Sequence, residues 1–149
     1  MRSAWIFAGM LAVGTSAWGE DWPQFRGPGG IGVSREKGCP GEWSAPQNIV
    51  WKPALPGPVS SSPATFDERI YVPCYSGYGV AKNAPGRKSD LKRHVVCIHR
   101  MDGRVLWKAV APASGHEMEY QGYLHMHGYA SQTPVVDKSG VYVFFGASG

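Results

Sequence analysis

The sequence has no long stretch of helical periodicity, and it is rich instead in residues that favour turns and strands. Its 149 residues include 20 Gly and 12 Pro, together with 6 Trp, 7 Tyr and 5 Phe. Glycine and proline mark turns, whereas aromatic residues favour the pleated surface of a sheet. The composition therefore predicts an all-β fold.

The sequence also lacks an apolar run of the roughly 20 residues that a membrane span needs. The apolar segment 4–13 follows the basic Arg2 and precedes Ala17-Trp18-Gly19. A basic start, a short apolar core and small residues before a cleavage point are typical of a secretory signal peptide. We therefore expect residues 1–19 to be a signal peptide and the mature chain to be exported, periplasmic or extracellular, without a transmembrane segment.

Cysteine is scarce and odd in number. The three residues are Cys39, Cys74 and Cys97, so at least one thiol cannot pair within the chain. Cys74 and Cys97 lie in apolar, strand-like contexts, where a free thiol behaves as a small hydrophobic group. We expect two buried free thiols rather than a disulfide framework.

Charge is low, with a formal net value of +4 at pH 7, and it is diffuse. The one basic cluster falls in a stretch that bears glycine, proline and serine; its members are Lys82, Arg87, Lys88, Lys92 and Arg93. Nucleic-acid binding needs a focused basic face. We interpret the cluster as a solvated loop and expect no nucleic-acid partner.

Two common catalytic motifs are also missing. The glycine-rich segment 24–30 precedes no predicted helix, so it does not form a phosphate cradle. We expect its Arg26 to tie the N-terminal segment to the rest of the protein. The run Ser60 to Ser62 has no strand-to-helix elbow that would present a nucleophilic hydroxyl.

An Asp-Gly pair at residues 102–103 lies between two apolar runs. This pair predicts a hairpin turn with a positive φ at Gly103. The run Val95 to Ile98 is continuously apolar, which is typical of a strand covered on both faces. In the run from Val105 to Val110, successive side chains point to opposite faces of a predicted strand, and Trp107 lies on one of these faces.

The chain contains an internal repeat. Residues 59–77 align without gaps on residues 130–148, so that Pro63 meets Pro134 and Tyr71 meets Tyr142. A tryptophan segment precedes each copy, at Trp51 and Trp107. The repeat predicts a unit of four strands, near residues 63–66, 69–74, 94–98 and 104–110, and a second unit that begins at Thr133 and holds two strands.

Tandem four-stranded antiparallel units, each ending in an aromatic residue, are typical of the blades of a β-propeller. We expect about one and a half blades, with Trp107 at the seam between them and Trp51 in an N-terminal strand that closes the ring. Residues 20–48 would form an N-terminal strap and residues 49–149 the repeat region. Because a propeller has about 4–8 blades, we expect an incomplete propeller and a fragment of a longer protein.

The segment "CIHRMDGRVLW" at 97–107 resembles the repeat of the PQQ-like quinoprotein propellers, Ala-x-Asp-x-x-Thr-Gly-Lys-x-x-Trp. Gly103, Trp107 and, in place of lysine, Arg104 match this repeat, whereas Cys97, His99 and Asp102 depart from it. Residues 21–34 and 127–149 are similar to the N-terminal segment and the next blade of exported bacterial members. The resemblance implies a propeller fold. Pyrrolo-quinoline quinone (PQQ) enters only through this resemblance, and we predict no cofactor.

For a quinone-dependent dehydrogenase, the resemblance implies adjacent cysteines, a tryptophan under the cofactor, a calcium ion held by carboxylates and a catalytic Asp. The sequence has no Cys-Cys pair and no acidic cluster of that pattern. We therefore predict no catalytic residue. We expect a binding or scaffold module with a protein or small-molecule partner on the propeller face. The N-terminal part of a quinone-dependent dehydrogenase-like enzyme is the alternative.

The second tryptophan-to-proline connection carries an insertion, covering roughly Gly115 to His127. It is rich in residue types that bind metals, namely His116, Glu117, Met118, Glu119, His125, Met126 and His127. In an extended segment His125 and His127 would project to one side, and imidazole with carboxylate suits zinc or copper. His116, Glu119, His125 and His127 are the candidate metal ligands. Because no fixed four-ligand spacing appears, we predict an exposed connecting loop without a metal.

Overall fold

The computed structural model describes residues 19–146, so the predicted signal peptide lies outside the described residues except for Gly19. One antiparallel sheet contains four strands in sequence order: β1 (Ala64–Phe66), β2 (Arg69–Ser76), β3 (Lys92–His99) and β4 (Val105–Pro112). A short helix, α1 (Leu124–His127), precedes a second antiparallel pair, β5 (Val135–Asp137) and β6 (Gly140–Tyr142). The all-β prediction is confirmed. No helix within the described range is long and apolar enough to cross a membrane.

The sequence repeat reappears as a repeat of strand register. Ala64 of β1 faces Tyr71 of β2, and Val135 of β5 faces Tyr142 of β6. The other pairs of the two ladders correspond in the same way, at the same offset of 71 residues (64 to 135). Pro63 and Pro134 each directly precede the first strand of a pair. The second pair therefore repeats the first two strands of the four-stranded sheet.

The apolar run in β3 is covered on both faces, as its sequence predicts. On one face Val96 and Ile98 pack with Val72 and Cys74, and Trp51 covers them. On the other face the two strand pairs meet, in a cluster formed by Ala64, Tyr71, Cys97 and Val136. Alternation along β2 and β3 thus places buried side chains on both faces of the sheet.

Cys74 and Cys97 are buried free thiols on opposite faces of this sheet, and Cys39 is an exposed free thiol. The prediction of two buried free thiols is confirmed. Burial raises the pKa of both Cys74 and Cys97, because an apolar environment disfavours the thiolate.

The outer strand β4 is exposed along almost its whole length. Trp107 lies on the same face as Tyr71, with the two ring centroids 6.0 Å apart, yet 39% of its surface remains exposed. Within the described residues, β4 has no neighbouring strand on its outer edge.

The Asp-Gly hairpin prediction is confirmed. Gly103 has a φ of +72°, and the His99 N–H donates to the Arg104 carbonyl oxygen at 2.9 Å. A Cβ atom at Gly103 would lie 2.6 Å from the ring of Trp51. Glycine is therefore needed for the backbone conformation and also for contact with the indole.

The predicted strand at Trp51 is wrong, because residues 49–55 are irregular. Pro53 cannot donate to a ladder, which disfavours a strand in this segment. Trp51 is held instead by its indole N–H, which donates to the Arg100 carbonyl oxygen at 3.0 Å. It covers the sheet as a side chain rather than as part of a strand.

The N-terminal strap crosses the first strands of both pairs. Trp22 exchanges two backbone hydrogen bonds with Thr65 of β1, at 3.1 and 2.9 Å, and the Val136 N–H of β5 donates to the Pro23 carbonyl oxygen at 2.8 Å. The prediction that Arg26 ties the strap to the rest is wrong. The exposed Arg26 side chain donates to the Ile31 carbonyl oxygen within the strap itself.

Candidate binding surface at the loop end of the sheet

Two long connections lie at the same end of the four-stranded sheet. Residues 77–91 join β2 to β3, and residues 113–134 join β4 to β5. Because successive strands are antiparallel, alternate connections share one end. We call these two connections together the loop layer. The insertion predicted at residues 115–127 lies within it.

Four tyrosines fasten the two loops to each other and to β2. Tyr75 and Tyr129 meet edge-on with centroids 5.6 Å apart, and Tyr78 lies 5.7 Å from Tyr129 and 6.3 Å from Tyr120. The Tyr78 hydroxyl donates to Glu119 at 2.9 Å and accepts the Tyr120 N–H at 3.0 Å. Aromatic contacts with bonded hydroxyls hold such a cluster in one arrangement. Burial raises the pKa of Tyr75 and of Tyr129.

Gly128 allows the second loop to approach this cluster. Its φ is +58°, and a Cβ atom there would lie 2.3 Å from the Tyr75 ring. Its N–H donates to the Leu124 carbonyl oxygen at 2.9 Å, which ends α1. Any other residue would push the loop away from Tyr75.

A buried ion pair joins the sheet to the loop layer. Both Arg93 terminal nitrogens lie 3.1 Å from Glu117 Oε1, and the two side chains are only 2% and 1% exposed. Glu117 also accepts the backbone N–H groups of Ser114, at 2.6 Å, and Gly115, at 3.0 Å. One carboxylate thus anchors both the loop backbone and the arginine of β3.

The position of Arg93 corrects the prediction of a solvated basic cluster. Arg93 is buried, whereas Lys82 and Arg87 are exposed in a loop as predicted, and Lys92 is exposed but begins β3. Its spacing from Val95 and Cys97 on β3 was the available signal, because alternate residues of a strand share one face.

Lys88, the remaining member of the basic cluster, bonds Glu119 at 2.6 Å. This hydrogen bond, together with one from Tyr78, lowers the pKa of Glu119. Because 61% of the Glu119 side chain is exposed, water weakens this contact.

The four candidate metal ligands are not brought together. His125 and His127 lie on α1 rather than on an extended segment, and two residues apart on a helix they point to different sides. The Nε2 atom of His125 lies 2.8 Å from the Tyr120 carbonyl oxygen, and His127 stacks on Tyr123 at 4.1 Å. His116 is exposed, and Glu119 is bonded to Lys88 and Tyr78. The prediction of a shared side for the two histidines is wrong.

Residues 19–146 contain no group of three or more His, Cys, Asp or Glu side chains that could hold a metal ion. The polar groups of the insertion bind instead to Arg93 and Lys88, to tyrosines and to the backbone. What they produce is a fixed surface.

A cavity of about 150 Å³ lies between the loop layer, Arg93 of β3 and residues 145–146, and we call it the loop-layer cavity. Its lining includes the buried pair together with rings and an aliphatic side chain: Arg93, Glu117, Tyr123, Leu124, Tyr129 and Phe145. Sequence reasoning missed this cavity because it depends on Arg93 being buried and on α1, a helix of four residues.

A wider cleft of about 900 Å³ lies at the opposite end, between the β1–β2 and β5–β6 turns. Exposed charges of both signs line it, among them Asp67, Glu68 and Lys138. No buried charged side chain lines it. The loop layer is the better candidate site, because binding sites combine apolar walls with a few fixed polar groups.

Comparison of the sequence with models of known protein families and with curated proteins found no match.

Proposed function

We propose that this protein is an exported PQQ-like β-propeller repeat protein that acts as a binding or scaffold module, and that the loop layer is its binding surface. The repeated strand register supports the repeat assignment, since β1–β2 and β5–β6 share their pairing and contribute to one hydrophobic cluster. The strand β3 is buried on both faces, as expected for a strand of a blade that packs between two neighbouring blades.

The proposed binding role depends on the loop layer being held in one arrangement. The buried Arg93–Glu117 pair fixes the layer, yet it presents exposed apolar side chains at Met118, Tyr123 and Met126. Exposed apolar side chains grouped on a rigid scaffold are typical of interaction sites. Methionine also adapts its shape readily to a partner.

Site-specific photocrosslinking in the cells that make the protein tests this role. A photoreactive phenylalanine analogue replaces Tyr123 in the loop layer or, as the matched control, Glu68 at the turn end. We expect a discrete adduct from position 123, its loss when Met126→Glu is added, and no adduct from position 68. Adducts from position 68 alone, or from neither position, would contradict the proposed surface.

The enzymatic alternative predicts a different result. Addition of PQQ and calcium to the purified protein would then give saturable quenching of tryptophan fluorescence and the absorbance of a bound quinone. A binding module gives neither signal. Export is tested separately by fusing residues 1–19 to a reporter enzyme that is active only outside the cytoplasm, and we expect activity.

A further inference from the structure

The loop-layer cavity combines a buried ion pair with aromatic walls. Arg93 and Glu117 line it, and Tyr129 and Phe145 add buried rings. Tyr123 and Met118 also line the cavity and are largely exposed, so they mark its rim. A ligand would pass an apolar rim and meet charged groups among the rings.

The size of the cavity limits the ligand to one small ring. Its volume of about 150 Å³ is close to that of an apolar protein cavity that takes up benzene. Rings contact one another favourably edge-on or offset, and Tyr129 and Phe145 both line the cavity. An aromatic six-membered ring therefore fits better than a flexible chain.

The Arg93–Glu117 ion pair determines which polar group on the ring fits the cavity. Arg93 and Glu117 already neutralise each other, so a charged ligand of either sign would have to compete with one of them, at a large cost in a buried site. A hydroxyl group is neutral, and it can both accept from a guanidinium and donate to a carboxylate. Among substituted rings, this chemistry favours a phenol.

We propose that the loop-layer cavity binds a phenol ring, with its hydroxyl group towards Arg93 and Glu117 and its ring against Tyr129 and Phe145. The inference rests on the proposed function of the loop layer as a binding surface. Two sources share this chemistry, a free small phenol and the tyrosine side chain of a partner protein.

Titration of the mature protein with three small probes, followed by NMR amide shifts, tests the inference. We expect p-cresol to give saturable shifts at residues that line the cavity. Toluene, which lacks the hydroxyl, should bind at least about tenfold more weakly, because it cannot form the hydrogen bonds to Arg93 and Glu117. The anionic 4-methylbenzoate should give no saturable shift. No saturation with p-cresol, or equal affinities for p-cresol and toluene, would overturn the proposal.

A filling variant provides the structural control. Ser131 lines the cavity, so Ser131→Leu should reduce the affinity for p-cresol at least tenfold, whereas Ser60→Leu at an exposed position away from it should not. Near-ultraviolet circular dichroism verifies the fold. If Ser131→Leu does not fold, Gln132→Leu, at an exposed lining position, replaces it. Unchanged affinity in the folded variant would overturn the assignment of the cavity.

Two further results separate this inference from the proposed function. Binding of N-acetyl-tyrosine amide with an affinity near that of p-cresol supports a partner's tyrosine as the source, and binding of p-cresol alone supports a free phenol. Crosslinks from position 123 without p-cresol binding would overturn the inference and leave the proposed function intact. Binding of p-cresol without crosslinks would leave the inference intact and overturn the proposed role of the loop layer in binding a protein partner.

Discussion

Gly103 links a turn conformation to the position of a tryptophan. At φ +72° with the Trp51 ring 2.6 Å from a Cβ position, Gly103→Ala adds backbone strain and a clash. We expect the free energy of unfolding to fall by more than about 1 kcal/mol, and further for Gly103→Val. Gly115→Ala is the matched control, because Gly115 has φ +87° but nothing within 4 Å. Equal losses in denaturant melts would contradict a role for the indole contact.

The Arg93–Glu117 pair gives a second test at the level of single residues. Removing one partner leaves a buried charge, so Glu117→Ala should lower the free energy of unfolding by about 3–5 kcal/mol. Asp90→Ala removes an exposed ion pair with Arg87 in the other loop of the layer and should change stability little. Chemical denaturation compares the two variants. Similar effects would mean that Glu117 does not anchor the loop.

His94 should make stability depend on pH. It is buried, with its Nε2 atom 2.8 Å from the Ser76 hydroxyl, and burial followed by the charges of Lys92 and Lys108 lowers its pKa. The unfolded state then binds a proton more readily, so stability should fall as the pH drops below the ordinary value of 6.5.

Thermal midpoints measured between about pH 7.5 and pH 5, above the range in which carboxylates titrate, check this expectation. His94→Gln should flatten the profile, whereas His116→Gln at an exposed position should leave it unchanged. A profile that His94→Gln does not alter would contradict the assignment.

At the scale of elements, the sequence predicts the sheet better than its loops. The alternation of side chains along each strand, the Asp-Gly pair and the internal repeat predict all six strands. Each of these signals lies in the residues of the strands themselves or in the adjoining turns. The structure extends β2 to Ser76 and β3 from Lys92 to His99. The helix α1 has only four residues and too little periodicity to be recognised. The burial of Arg93 was missed because its partner, Glu117, lies 24 residues away along the chain.

The N-terminal strap should slow hydrogen exchange at two backbone amides. The Thr65 N–H donates to Trp22, and the Val136 N–H donates to Pro23. Deletion of residues 20–26 should therefore speed hydrogen exchange at Thr65 and Val136, while the amide of Val96 in the sheet interior stays protected. NMR-detected exchange measures all three. Unchanged exchange at Thr65 and Val136 would show that the strap does not pair with β1 and β5 in solution.

At the scale of the whole molecule, two strand edges lack a neighbour among the described residues. Almost all of β4 is exposed, including Val110 at 55%. Tyr142 of β6 and the nearby Phe144 are 55% and 59% exposed. Apolar strand edges of this kind pair with other strands. In a propeller, the remaining strands of the second unit would pair with β6, and neighbouring units would cover the exposed faces of β4.

Sedimentation equilibrium of residues 20–149, over a wide range of protein concentration, tests the central claim that this fold is a repeat unit in need of neighbours. We expect self-association that increases with concentration and that weakens in the double variant Val110→Lys, Tyr142→Lys, because charge on the two edges opposes strand pairing. A monomer at every concentration, with a sharp thermal transition that does not depend on concentration, would contradict the account and show a self-sufficient domain.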